Sequence, residues 1–285
     1  MIFRIVNKLN FIKRLNRKRA VSIINLIIAL DEILWRIRLS IFILVLGKKN
    51  KFGKAFFELR KTGVAIIPNF YSDQKVVEIK KKCLNLMDEI SKNEIDKIDI
   101  EKVTNQIKIK GLHKLNKFFR DIGRDIKMSI ITMAYHFSIS RPYLIYNLFH
   151  DGTISHPIFS DNQKTKSETI AGTPHVDFYL HKLRICLALE NVNDQNGPTV
   201  CYKNSMHLDF IKENHLNLAL ENFEFHNDKN RGHYVNENKI KNLENNSKKF
   251  YITVEKGDLI LIDLKTVHHQ TPLKQGERHF LWFYF

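Results

Sequence analysis

Apolar and polar positions change rhythm twice along this chain. Residues 1–54 open with scattered basic positions. Two apolar runs follow, "VSIINLIIAL" and "LSIFILVLG", separated by Asp31-Glu32 and by Arg36 and Arg38. A short helix in "FFELRKTG" and a strand in "VAIIPNF" come next. In "SDQKVVEIKKKCLNLMDEI" the apolar positions Ile79, Cys83, Leu86, Met87 and Ile90 share one helical face. Residues 91–111 read as polar and irregular, and a further helical stretch is expected from about Leu112 to Phe137, interrupted at Gly123. Beyond that the rhythm turns strand-like: "RPYLIYNLFH", "LRICLALENV", "PTVCY", "FYITVE", "DLILID" and "HFLWFYF". Turn signals such as "HDGT", "NDQNGP", "EKGD" and "KQGE" separate several of them. Residues 208–249 are polar and Asn-rich with weak periodicity, which reads as a long insertion or lid. Helices followed by many short strands indicate an α+β fold, with helices packed on a β-sandwich or jelly roll.

Charge sharpens the division. The chain has 285 residues, enough for one large domain or one domain with an extension, and a net charge of +16. Residues 1–54 hold 13 Lys/Arg against 2 Asp/Glu, whereas residues 55–285 hold 33 against 28. The body therefore lacks the basic excess of a nucleic-acid-binding protein, and no specific nucleic acid is expected. Neither N-terminal apolar run reaches the roughly 18–20 residues that span a bilayer, and no small-residue cleavage site follows the first. Residues 1–54 thus read as a basic amphipathic helical extension, with two arrangements open. The helices pack on the body with a basic face in water, or they lie on an anionic membrane surface with Leu, Ile, Phe and Trp inserted. A cytoplasmic protein, peripheral at the membrane in the second case, is the expectation. Cys83, Cys186 and Cys201 are far apart and have no CxxC spacing, which fits a reducing compartment.

Candidate chemistry centres on "TPHVDF". A His-x-Asp match is weak by itself: with 13 His and 15 Asp, about 0.7 matches are expected by chance. Three occur, at His175/Asp177, His207/Asp209 and His226/Asp228. Only "PHVDFYL" has strand-compatible neighbours, and residues i and i+2 of a strand share a face. The other two pairs read as surface. A two-histidine, one-carboxylate site needs a further histidine brought in by the fold. "VHHQ", just beyond the apolar run 259–262, offers His268 or His269, and only one of them can face the ion if that segment is extended. Arg278, on the last strand, is suited to gripping a carboxylate through two parallel hydrogen bonds. Tyr146, Asn147 and Arg184 could point into the same pocket from strands.

From about Phe56 to Phe285, these motifs in this order resemble the phytanoyl-CoA dioxygenase-like (PhyH) family of Fe(II)/2-oxoglutarate oxygenases. "LRKTGVAIIPNFYSDQ" looks like the family's opening strand and helix, and "PHVDF" like its iron motif. "LALENVNDQNGPTVCYKNSMH" is similar to its NGP segment, and "KGDLILIDLKTVHHQTP…R" to its final strand, distal histidine and arginine. The resemblance implies a double-stranded β-helix (jelly roll, cupin-like) over residues 55–285. It implies Fe(II) held by His175, Asp177 and His268, the last standing eleven residues after Gly257, where the family's ligand falls. It implies that Arg278 binds the distal carboxylate of 2-oxoglutarate; Gln270 by its position, and Tyr146 and Asn147 by their place on a strand, are taken as further candidate cosubstrate contacts. Val176 stands where relatives often have Gln, and Gln270 where a hydroxyl often helps hold the cosubstrate.

The activity so implied consumes O2 and 2-oxoglutarate, releases succinate and CO2, and oxidises an unactivated C–H bond. Asp177 occupies the position that is a small residue in related halogenases, which favours hydroxylation or desaturation. The substrate is expected to be a small molecule, a lipid or a glycan-type compound. The alternative is a non-catalytic peripheral membrane or scaffold protein that retains the fold.

Overall fold

The structure is a computed structural model that describes residues 10–92, 99–103, 106–136, 142–150, 172–223 and 233–285. After a 3₁₀ turn at Asn10–Arg14 come α1 (Arg17–Leu46), α2 (Lys51–Thr62), β1 (Val64–Ile67) and α3 (Asp73–Ser91). The side chains of Asn16, Asn50 and Ser72 each cap the following helix by accepting a backbone N–H. A hairpin of β2 (Asp99–Val103) and β3 (Gln106–Lys110) precedes three short helices, α4 (Leu112–Leu115), α5 (Lys117–Gly123) and α6 (Ile126–His136). The remaining elements are β4 (Tyr143–His150), β5 (Leu183–Ala188), β6 (Thr199–Lys203), α7 (Asp209–Asn222), α8 (Glu237–Asn246), β7 (Lys248–Tyr251), β8 (Leu259–Asp263), β9 (His268–Gln270) and β10 (Glu277–Tyr284).

Seven strands form one antiparallel sheet in the order β1-β8-β5-β10-β4-β3-β2, and three form a second, β7-β6-β9. Strand alternation sorts the large sheet into two faces. Leu144, Tyr146, Leu148, Ile185, Leu187, Leu281 and Phe283 join α2, α3 and α1 in the main core. Ile145, Phe149, Cys186, Ala188, Phe280 and Trp282 face the other way, onto Cys201, Ile252 and Val254 of the smaller sheet's side. The space between the two sheets is where strand residues can meet a ligand.

The structure departs from three sequence expectations. Residues 99–103 and 106–110 are not irregular: they pair as antiparallel strands on the sheet edge. Ile107 and Ile109 are fully buried, while Lys108 and Lys110 reach Glu101 at 2.7 and 2.9 Å. Residues 209–222, within the expected insertion, are a regular helix despite their weak periodicity, because Ile211, His215 and Leu218 turn inward at helical spacing and the polar Asn214 is buried beside them. Third, the two apolar runs of the N-terminus are one thirty-residue helix, α1.

α1 belongs to the fold's interior. Trp35, Leu39 and Ile43 enter the main core, and Ala20 and Ile24 enter a second cluster with Val176, Tyr179 and Leu180. Polar contacts lock the register. The Asp31 carboxylate accepts the backbone N–H of His181 at 2.6 Å, and the Trp35 ring stacks on the His181 ring at 3.8 Å. Both His181 nitrogens face carboxylates, Nδ1 toward Asp263 and Nε2 toward Glu32 at 2.7 Å. Tyr135 donates to Asp263 at 2.5 Å, and Lys265 Nζ lies 3.3 Å from Glu32.

Burial opposes ionisation of Glu32, but His181, Lys265 and Arg36 outweigh it and hold the carboxyl well below its ordinary range. A carboxyl depressed in the folded state adds stability above its unfolded pKa and loses it as pH falls. Glu32→Gln is therefore expected to cost about 1–3 kcal/mol in urea unfolding at neutral pH. The gap to wild type should close as pH drops below the ordinary carboxylate value of about 4.

Candidate metal centre

Two backbone hydrogen bonds build the site. His175 N donates to His268 O at 3.0 Å and His268 N donates to His175 O at 2.9 Å, so the two histidines are directly opposed across an antiparallel bridge. Their rings lie 4.5 Å apart, centre to centre. Val176 N donates to His233 O at 2.8 Å and Asp177 N to Leu264 O at 3.0 Å. The Val176 side chain turns into the apolar cluster beside α1, which leaves His175 and Asp177 on one side. The strand expected over "PHVDFYL" is reduced to isolated bridges at His175, one to His268 and one to Tyr234, and hydrogen bonds to the 264 and 233 backbones position Asp177 instead.

The donor atoms converge. Asp177 Oδ1 is 3.4 Å from His175 Nε2, and Asp177 Oδ2 is 3.3 Å from His268 Nε2. One ligand atom from each residue lies within 4.8 Å of the others. The partners set the tautomers. His175 Nδ1 contacts Thr173 O at 2.7 Å and His268 Nδ1 contacts Thr266 O at 2.9 Å. A carbonyl only accepts, so each Nδ1 carries the proton and each Nε2 presents its lone pair. Burial lowers the His268 pKa, which favours this neutral form. Burial alone would raise the Asp177 carboxyl, but the Arg184 guanidinium holds it well below the usual range. Two imidazole nitrogens and one carboxylate oxygen form a donor set suited to non-haem Fe(II), with coordination places left for a cosubstrate and O2. The residues present fit that ion.

Arg184 is the neighbour that the sequence under-weighted. Its guanidinium donates to Asp177 Oδ2, and its Nη1 sits 3.4 Å from His268 Nε2. It stacks over Trp282 at 5.2 Å and Tyr284 at 5.7 Å. The signal was an arginine at an inward-facing position of the otherwise apolar run "LRICLAL".

Arg278 lies further along the same interior face, paired in register with Phe149, while Asn147 pairs with Phe280. The arginine is 1 % exposed, its guanidinium 4.2 Å from the centre of the Phe149 ring, and its Nε and Nη1 have no hydrogen-bond partner. Burial pushes its pKa down to about 9. Asn147 Oδ1 accepts from Gln106 at 2.8 Å, and its Nδ2 is also unpartnered. Gln270, half-buried, follows His268 on the same side of β9. His269 alternates away and lies beside the Tyr202 ring at 5.9 Å. Tyr146 is not brought to the site. It is one residue out of phase with Asn147, so it faces the helices and contacts His279 Nδ1 through its hydroxyl at 2.6 Å. Of the other His-x-Asp pairs, His207 is half-buried under α1, 3.8 Å from Glu32, and Asp209 is exposed beside Lys212. His226 and Asp228 lie outside the described residues.

Two facing sheets that enclose a His-x-Asp…His cluster and a buried arginine define a jelly-roll oxygenase of the non-haem iron class. The chain belongs to the phytanoyl-CoA dioxygenase (PhyH) family, whose profile matches residues 59–274, and is thereby an Fe(II)/2-oxoglutarate-dependent oxygenase. No curated protein matches the sequence. Solved structures share the fold at low identity. The epimerase SnoN, in complex with Fe3+, alpha ketoglutarate and nogalamycin RO, is 12 % identical, with 81 % of each chain covered and a TM-score of 0.55. HygX from Streptomyces hygroscopicus, with nickel, 2-oxoglutarate and hygromycin B bound, is 11 % identical over 81 % of this chain and 85 % of that one, TM-score 0.51. EctD from S. alaskensis, in its apoform, is 15 % identical over 80 % and 74 %, TM-score 0.51.

A buried cation with two unanswered N–H donors costs stability, and an apolar side chain of similar volume removes that cost. Arg278→Met is therefore expected to raise the melting temperature of the ligand-free protein by roughly 2–6 °C, measured by calorimetry. A lowered melting temperature would mean that the guanidinium is already satisfied.

Proposed function

We propose that the protein hydroxylates an unactivated C–H bond of a small-molecule, lipid-like or glycan-type substrate, with His175, Asp177 and His268 as the iron ligands. When bound there, Fe(II) with 2-oxoglutarate and O2 supplies the oxidant, and succinate and CO2 leave as co-products. The chain's own task is placement. His175 and His268 present Nε2 because Thr173 O and Thr266 O hold their Nδ1–H. Arg184 fixes one oxygen of Asp177 and so orients the carboxylate. Arg278 receives the distal carboxylate of 2-oxoglutarate through its unpaired N–H groups, with Asn147 Nδ2 and Gln270 within the same proposed cosubstrate pocket. Phe149, Phe280 and Trp282 keep that pocket apolar, which strengthens the ion pair inside it.

The observation that carries this reading is the convergence of three ligand atoms in the same interior as a buried arginine with unanswered donors. A carboxylate at 177 supports hydroxylation or desaturation. The bound nogalamycin RO of SnoN and hygromycin B of HygX lend support to a small-molecule substrate. A peripheral position at an anionic membrane is part of the same proposal and suits a lipid-like one.

Anaerobic addition of Fe(II) and 2-oxoglutarate should give a weak visible charge-transfer band and, with O2, uncoupled succinate. His175→Ala should abolish both. Arg278→Met should raise the 2-oxoglutarate concentration for half-saturation at least about 30-fold. No band and no succinate from the wild-type protein would return the assignment to a non-catalytic scaffold.

A further inference from the structure

α1 is apolar on both sides, and only one side is explained by packing. Trp35, Leu39 and Ile43 face the core. The opposite side carries Leu26, Leu30, Ile33, Ile37, Leu44 and Val45, exposed by between 46 % and 83 %. At 100° per residue these positions fall in one stripe, roughly 28 Å long at 1.5 Å rise per residue. No charged residue interrupts it between residues 26 and 45: Asp31, Glu32, Arg36 and Arg38 all lie outside its arc. Of the two arrangements open for this segment, the one with a basic face in water is not what these exposures give. The basic residues stand at the ends instead, with Arg17, Lys18 and Arg19 exposed before the stripe and Lys48, Lys49 and Lys51 exposed after it. A shallow cleft of about 350 Å³ beside the helix adds Arg36, Arg60, Lys61 and His207. Arg60 donates to Ser40 at 2.6 Å, at the stripe's margin.

A continuous exposed apolar surface of this length marks an interaction site. We infer that it docks flat on an anionic lipid bilayer, with the stripe among the acyl chains and the two basic ends and the Arg36–Arg60 cleft at the phosphates. Charge decides against a second copy of the chain. Paired parallel or antiparallel, two such helices bring a basic end against a basic end, whereas lipid phosphates complement both ends at once. Trp35 is stacked on His181 and stays out of the contact. The helix is not long and apolar enough to cross a membrane, so the contact is in the plane. Its inner side holds the His181 backbone through Asp31, four residues beyond Asp177, so the docked face and the metal segment move as one body. The inference specifies the surface behind the proposed peripheral location and does not depend on the iron chemistry.

Flotation of the full chain with phosphatidylcholine vesicles, with and without phosphatidylglycerol, tests it. Wild type should float with the phosphatidylglycerol vesicles and far less with pure phosphatidylcholine. Ile37→Glu/Leu44→Glu should lower the bound fraction at least about tenfold, and Lys48→Glu/Lys49→Glu should weaken it most at low salt. Both variants should keep the wild-type melting curve and the Fe(II)–2-oxoglutarate band. No flotation of wild type, or equal flotation of the stripe variant, overturns the inference. So does a wild-type dimer that the stripe variant converts to monomer, which assigns the face to a second copy. Flotation without a band in wild type leaves this inference standing and removes the oxygenase reading.

Discussion

The reciprocal backbone bond between His175 and His268 is the constraint on which the site depends. Residues 93 apart in sequence are fixed in register by two hydrogen bonds of ordinary length. Once they face each other, little freedom remains: each imidazole is locked by a carbonyl two residues upstream, and Asp177 by the backbone of Leu264. The metal geometry is therefore a property of sheet pairing. The side chains inherit it, and few of their own rotamers have to be specified.

The same segment is held from behind. His181 sits between Asp263 and Glu32, under the Trp35 ring, with Asp31 on its backbone. Three stretches meet there: α1, the loop after the metal motif, and the end of β8. Buried charge of this kind adds little net stability against an apolar alternative, but it penalises every misaligned register, because one slipped residue leaves an ion uncompensated. Helix and metal loop are thus tied to a single arrangement.

Much of the fold was legible because strand alternation is a strong local signal. "HFLWFYF" and "DLILID" became β10 and β8, and the order of His175, Asp177, His268 and Arg278 already pointed to the family. The features that stayed hidden share one cause: polar residues interleaved with the buried apolar ones. His215 and Asn214 masked the periodicity of α7, and Lys108 and Lys110 made β3 look like loop although Ile107 and Ile109 alternate with them. Tyr146 and Asn147 are neighbours in sequence but face opposite layers, and choosing between them required the register with β10. Arg184 could be suspected from its apolar strand, but its grip on Asp177 depends on a loop whose path no local pattern encodes.

α1 is joined to α2 by the short Gly47–Asn50 turn, yet Trp35, Leu39 and Ile43 are as much a part of the interior as any strand. Shortening the chain at that turn would strip one wall from the main core and take away the Phe42 ring that packs edge-on against Phe56. An N-terminally trimmed form should behave as a sticky, half-built body, and its loss of any property would say little about lipids. Single side-chain changes on the outer rim of the helix are the cleaner instrument for dissecting this segment's contribution.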